Sequence, residues 1–439
     1  MNTVMFSVPL RPAIGLIPKL SRVAVLTGIA IALATPGRAQ EAGVAHPTGK
    51  PRGNAVTQWN AVATDAFVPS QGTNPMVQSR TLAIVHAAIH DAINAIDRRY
   101  EPYTAGLAAA PGASVDAAVA AAARDVLVAL LPEQAATVEA AYTRALADIP
   151  DGAAKTAGIA VGQASAAASI QRRQGDGLED AAQPAFVPRP GPGEYQFTPP
   201  FDFAALPGWG RVKPFVIDLR EHALEGPDSL ASVQYARDFA YLKAIGDIDS
   251  RIRTKEQSEI AQFWYEDSPL GWNRIANTVV RQRRLDNWAA ARAFALVNFA
   301  LADGYIAGFE AKYRFRFWRP ETAIRGAATD GNRATEADPG WRPFLVTPPV
   351  PDYPSTHTVV GWAAAEVLID LMGDRLRYSA DSLTLPGVTR DFKGFSAAAE
   401  ENGLSRLYAG IHFQRAVKDG RRQGRGIGRV VAEALAPVR

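Results

Sequence analysis

Three short segments between residues 312 and 412 concentrate cations, hydroxyls and histidines. In the first, Lys312-Tyr-Arg-Phe-Arg-Phe-Trp-Arg319-Pro320, Lys312 and Arg319 are seven residues apart. On one helix they share a face at an axial separation of about 10 Å, close enough for two long side chains to converge on an anion. Pro320 then predicts an exit from regular structure. The second, Pro348-Pro-Val-Pro-Asp-Tyr-Pro-Ser355-Thr356-His357, runs into an apolar stretch, Thr358 to Leu371. Its prolines stiffen the approach and Ser355 or Thr356 caps the helix, so unpaired amides and the positive end of the dipole form an oxyanion seat with His357 beside it. In the third, Ser405-Arg406-Leu-Tyr-Ala-Gly410-Ile-His412, one continuous helix would point Arg406 and His412 apart. They cooperate only if the helix breaks, and Gly410 suits a break. Taken singly, each segment also has a plain structural reading: a solvated basic helix end, a capping-region histidine, a core histidine.

Composition narrows the chemistry. The 439 residues are 47% hydrophobic and 21% charged, which describes a globular protein of one large domain or two fused bundles, and there is no Cys. Disulfides, Cys-ligated zinc, iron–sulfur clusters and thiolate nucleophiles are excluded, so catalysis falls to His, hydroxyls, carboxylates, cations or a bound cofactor. Residues 1–39 read as an export signal: Arg11, Lys19 and Arg22, an apolar run from Val23 to Ala34, Pro36, and the small-x-small step Gly37-Arg38-Ala39. The run is well short of the roughly 20 residues that span a bilayer. An uncleaved anchor is the competing reading. We expect a protein exported to the periplasm or secreted, with no membrane span after signal removal. No basic cluster interleaved with aromatics marks nucleic-acid binding.

The elements that must position the three segments are helical. Residues 40–75 read as an extended lead-in and 76–436 as a single all-α domain. Apolar spacing predicts helices from Met76 through the Ala-Ile-His-Asp-Ala-Ile run, at 114–131 and 133–148 divided by Pro132, and at 152–174. Eight prolines between 175 and 214 forbid a regular helix there. Helices resume at 228–243, 254–265, 270–281 and 284–311, the second started by a Thr254/Gln257 capping box. After an irregular stretch at 326–354 come 356–373, 391–409 and 412–435. No hairpin signal or sustained period-two alternation is present.

Lys-x6-Arg-Pro, then Pro-Ser-x-His, then Ser-Arg-x5-His, in that order, resembles the superfamily joining vanadium-dependent haloperoxidases, type 2 phosphatidic acid phosphatases and bacterial acid phosphatases. The resemblance extends to Ala88-Ile-His-Asp-Ala-Ile-Asn-Ala-Ile, Arg253-Thr-Lys-Glu-Gln, Phe263-Trp and Phe317-Trp-Arg-Pro-Glu-Thr-Ala-Ile-Arg325, typical of bacterial haloperoxidase-like members. It implies an all-helical bundle that binds vanadate, or phosphate in the same site. Lys312, Arg319, Ser355, Arg406 and the amide of Thr356 would hold its oxygens. His412 would be the axial metal ligand or the nucleophile toward phosphorus, and His357 the acid–base residue. Trp318 would be a halide-pocket wall or a core aromatic. The implied activity is halide oxidation by hydrogen peroxide, with a small organic acceptor. The alternatives are phosphate-ester hydrolysis, which the same seat would serve, and an inactive anion-binding relative.

Two positions depart from the family pattern. Thr356 replaces the usual Gly, bringing a β-branched side chain close to the anion. Ala416 stands where an Asp commonly orients the axial His, leaving Asp419 as a distant substitute. Asp303 and Glu310 read either as partners of the site cations or as solvated helix faces. His86 and His90, four apart with Asp91 following, have a spacing that can chelate a metal but lack a third ligand, and a hydrogen-bonded helix face is the competing reading. His46 and His222 support no hypothesis.

Overall fold

The computed structural model describes residues 53–68 and 74–438, so the export signal and half of the lead-in, including His46, lie outside the described residues. Within them the chain forms thirteen α-helices: α1 Ala55–Asp65, α2 Pro75–Ile96, α3 Val115–Leu130, α4 Ala135–Ala147, α5 Ala153–Arg172, α6 Val233–Ile245, α7 Lys255–Phe263, α8 Ser268–Gln282, α9 Asn287–Phe315, α10 Pro320–Gly326, α11 Thr356–Met372, α12 Phe395–Tyr408 and α13 Gln414–Ala432. The expected all-α class is observed. The Thr254/Gln257 capping box is present with both of its reciprocal bonds.

Helix α9 is apolar on every side and almost wholly buried, which is what a central helix requires. It packs against α2 on one side and α11 on the other, and α11 packs in turn against α13. Small residues permit these close approaches. A Cβ on Gly424 of α13 would lie 2.2 Å from the Val359 carbonyl oxygen of α11. Each fully buried Leu, Phe or Val along α9 contributes about 1.5–3 kcal/mol. The active segments are thus anchored on the best-packed part of the molecule.

Four expectations are corrected. Part of the supposed extended lead-in is α1, started by an Asn54 cap on the Thr57 amide and held by buried Val56, Trp59 and Ala63. A two-stranded antiparallel hairpin, β1 Tyr378–Asp381 and β2 Thr389–Phe392, precedes α12. Its buried and exposed residues alternate over only four positions in β1, too few to register as a pattern. Pro320 opens α10 instead of ending regular structure, because a proline at the first helical position lacks only an N–H that would be unpaired anyway. Finally, Lys312 and Arg319 do not share a helix: α9 stops at Phe315, and Arg316 turns the chain in the left-handed conformation, φ 53°.

The proline-rich stretch 175–214 holds no α-helix and wraps this turn. Tyr195 N donates to Arg316 O at 2.7 Å, Trp318 N to Gly193 O at 2.9 Å, and Ala205 N to Pro349 O at 2.8 Å. Those bonds tie the long loop to the backbone just before Arg319 and to the approach of α11.

Candidate active site

Three chain reversals bring the site together. The first, after α9, places Lys312 and Arg319 on opposite sides of a turn, both about 1% exposed. The second is the proline-stiffened approach to α11. Ser355 is the N-cap residue, but its hydroxyl makes no capping bond; it accepts from Thr358 Oγ1 at 3.0 Å. The first-turn amides of α11 are therefore left without a side-chain cap, as an anion seat requires. The third is the break between α12 and α13. Gly410 sits at φ +77°, and a Cβ there would lie 2.3 Å from Gly246 O, so backbone conformation and close approach both demand glycine. The break lets Arg406 on α12 and His412 beyond it face one place.

Distances define what meets there. Arg319 Nη1 donates to Ile411 O at 2.6 Å and to His412 Nε2 at 3.0 Å, while its Nε donates to Val350 O at 2.7 Å. Lys312 Nζ donates to the carbonyls of Pro351, Asp352 and Pro354 at 2.6, 3.0 and 2.7 Å. Its ammonium thus braces the 351–354 loop and contributes charge to the seat. Arg406 is fully buried, donates from Nη1 to Trp264 O at 3.1 Å, lies 5.5 Å from the Tyr265 ring, and has no partner for Nε. His357 Nε2 donates to Glu266 O at 3.1 Å and the residue is half-buried.

The carboxylate beside His412 is that of Asp352. Its Oδ1 lies 2.8 Å from His412 Nδ1, in contact although the pair is not aligned as a hydrogen bond. Asp419 does not serve: it accepts from Tyr353 Oη and pairs with Arg415 Nε at 2.7 Å. Asp352 lies inside the second motif, three residues before Ser355, and an acid in a run of prolines and apolar residues was the available signal.

Burial sets the electrostatics. Both His357 and His412 are held well below the ordinary imidazole value, first by desolvation, then by neighbouring cations, with Arg406 foremost for His357 and Arg319 for His412. Desolvation raises Asp352 to about 7 against the pull of Arg319 and Lys312, and lowers Arg406 to about 10. Burial, and then the Arg319 charge, also hold Lys312 well below the ordinary lysine value; three buried basic groups face one buried carboxylate, an arrangement that an oxyanion would complete.

The tautomer of each imidazole follows from its partners. A carbonyl only accepts, so neutral His357 carries its proton on Nε2 and its lone pair on Nδ1. A guanidinium only donates, so neutral His412 carries its lone pair on Nε2, among the cations, and its proton on Nδ1, beside Asp352.

Other candidates lie elsewhere. Asp303 accepts from the amides of Phe215, Val216 and Ile217, and Glu310 pairs with Arg314, so neither partners the site cations. Trp318 is 3% exposed in an apolar cluster with Tyr235, Phe317 and Phe413. The Thr356 side chain packs on α9 opposite Gly308, where a Cβ would come 3.3 Å from Thr356 Cγ2, and its Oγ1 is buried without a hydrogen-bond partner. His86 bonds Asn60 and stacks on Phe294, His90 bonds Glu101 O and Asn94, and Asp91 accepts from the amides of Tyr103 and Thr104. These three hold α2 to its neighbours.

The all-helical bundle matches the vanadium haloperoxidase helical-bundle fold. Residues 292–438 match the family model of the VCPO second helical-bundle domain. Vanadium chloroperoxidase of Curvularia inaequalis is 26% identical over an alignment covering 82% of this chain and 78% of that protein. The crystal structure of the first bacterial vanadium-dependent iodoperoxidase superposes with a TM-score of 0.77 at 25% identity, covering 87% of this chain and 96% of the other. The apo form of a bacterial vanadium-dependent chloroperoxidase, 17% identical, shares the fold with a TM-score of 0.66 over 82% of this chain and 94% of its own. Family model, curated relative and structural neighbours thus agree with the haloperoxidase side of the resemblance read from the sequence.

Proposed function

We propose that this chain is an exported, vanadate-dependent haloperoxidase-like enzyme that oxidises halide with hydrogen peroxide. One observation carries the reading: the His412 Nε2 lone pair is presented among Lys312, Arg319 and Arg406 while Nδ1 rests against Asp352. Vanadate fits these residues. Arg319, Arg406, Ser355 and the Thr356 amide would hold its oxygens, Lys312 would add charge, and His412 Nε2 would ligate the metal. Bound there, vanadate supplies a Lewis-acidic centre that activates peroxide toward halide.

The chain's own groups do the rest. Asp352 keeps the His412 proton on Nδ1 and so keeps the donor atom basic. His357, neutral and with its lone pair on Nδ1, takes a proton from incoming peroxide and returns one to the departing oxygen. Near-complete burial of the cations excludes competing water and strengthens their hold on a charged guest. Export is the reading given to residues 1–39; among the described residues no helix is long and apolar enough to cross a membrane.

The test is halide oxidation with bromide or iodide plus peroxide, before and after orthovanadate, set beside p-nitrophenyl phosphate turnover. Peroxidase activity that rises with orthovanadate supports the proposal. Phosphate release alone makes the chain a phosphomonoesterase, with His412 attacking phosphorus and His357 protonating the leaving alkoxide. Oxyanion binding with neither activity makes it an inactive relative.

A further inference from the structure

The turn between α7 and α8 holds two site residues through its main chain. Trp264 O accepts from Arg406 and Glu266 O from His357, each at 3.1 Å. Residues 264–267 belong to neither helix, so these carbonyls are free to accept, but nothing helical fixes where they point.

What fixes them comes from the hairpin. Ser382 Oγ donates to Phe263 O at 2.6 Å and Thr384 Oγ1 to Gln262 O at 2.8 Å. The Leu383 amide donates to Glu266 Oε2 at 3.0 Å, and Arg274 Nη2 reaches both Glu266 oxygens at 2.7 and 2.6 Å. Arg274 also donates to Asp381 at the end of β1, at 3.0 Å. Space for the carboxylate is provided by Gly271, where a Cβ would lie 2.5 Å from Glu266 Oε1. A second anchor runs from β2: Arg390 pairs with Glu256, Glu259 and Glu401, and Glu401 accepts from Trp264 Nε1 at 3.0 Å.

We propose that the hairpin Tyr378–Phe392 is a strap that sets the α7–α8 turn, and that Glu266 is the positioning residue through which it aligns His357 and Arg406. The role given to those two residues rests on the functional reading above; their alignment rests on the contacts alone. Glu266 is 6% exposed, so among the described residues its charge is stabilised by Arg274 and the Leu383 amide, and the network acts as one unit. Hairpin register is thereby converted into the position of an acid–base imidazole and an anion-holding guanidinium.

Glu266→Gln and Ser382→Ala in the full mature protein test this. Two readouts are used: orthovanadate affinity by titration calorimetry, and the ring-nitrogen NMR signals of His357 across pH. Glu266→Gln keeps the side-chain shape and loses the charged pairing. Its orthovanadate affinity should fall by about tenfold or more, with the His357 signals displaced. Ser382→Ala should move both in the same direction by less, and it decides the matter should Glu266→Gln fail to fold. Folded variants with wild-type affinity and unmoved His357 signals overturn the strap. Should the wild-type protein bind no orthovanadate, the functional reading falls, and the His357 signals, which need no ligand, still decide the inference.

Discussion

Asp352 and His412 lie on different sides of α11, distant in the chain, yet Asp352 Oδ1 and His412 Nδ1 are 2.8 Å apart and both side chains are buried. The contact puts a carboxylate beside the imidazole, which Ala416 on α13 does not. It is reached because Ser355 N donates to Ala416 O at 3.0 Å, laying the approach to α11 beside the start of α13.

Removing that carboxylate should weaken His412 as a donor to a bound oxyanion. Asp352→Ala is expected to lower orthovanadate affinity by about 10–100-fold, read by calorimetry. Asp419→Asn, which leaves the Asp352–His412 contact in place, should change it far less.

Thr356 and Gly308 should prove coupled. A methyl at position 308 would crowd Thr356 Cγ2. Gly308→Ala should therefore lose to crowding, as a cost read in urea unfolding, part or all of the roughly 1 kcal/mol that Ala gains over Gly inside a helix. In a Thr356→Ser background, where that methyl is gone, most of the cost should disappear, giving a measurable double-mutant interaction.

The break at Gly410 should not tolerate a side chain. Gly410→Ala combines a left-handed φ with a clash on Gly246 O. A loss of about 2 kcal/mol or more is expected in thermal or urea unfolding. Phosphate binding should fall with it, since Arg406 and His412 depend on the same turn.

Acid should destabilise the protein through α2. Burial depresses His86 to about 3 and His90 to about 4, whereas the unfolded chain protonates both near 6.5. Their neutral forms are matched above pH 6.5, and stability is lost as pH falls from there toward 4. Each contributes a slope approaching about 1.4 kcal/mol per pH unit. Asp91, raised to about 7 by burial, acts in the opposite sense: it gains stability as pH falls from 7 toward 4. The histidine contribution is therefore isolated by comparing variants. His86→Gln should flatten the fall in unfolding free energy between pH 6.5 and 4, measured in urea; an unchanged slope would refute it.

Much of this molecule was legible in the amino-acid sequence. Helices α2, α3, α5, α9, α11 and α13 followed from apolar periodicity, because a helix that buries one face or all of itself must repeat apolar residues at its own pitch. The residues gathered at the seat were visible for a related reason: cations, serine and histidine in motifs with fixed spacing are conspicuous against Ala-rich helices. Asp352, the carbonyls of Trp264 and Glu266, and the room that Gly308 makes for Thr356 were not. Their roles depend on which chain segments lie side by side, and spacing along one segment carries no information about its neighbour. Side-chain chemistry was written locally; the partner of each group, and hence which nitrogen of each histidine holds a proton, was decided only when the packed helices brought distant backbone and carboxylate oxygens within 3 Å or so of them.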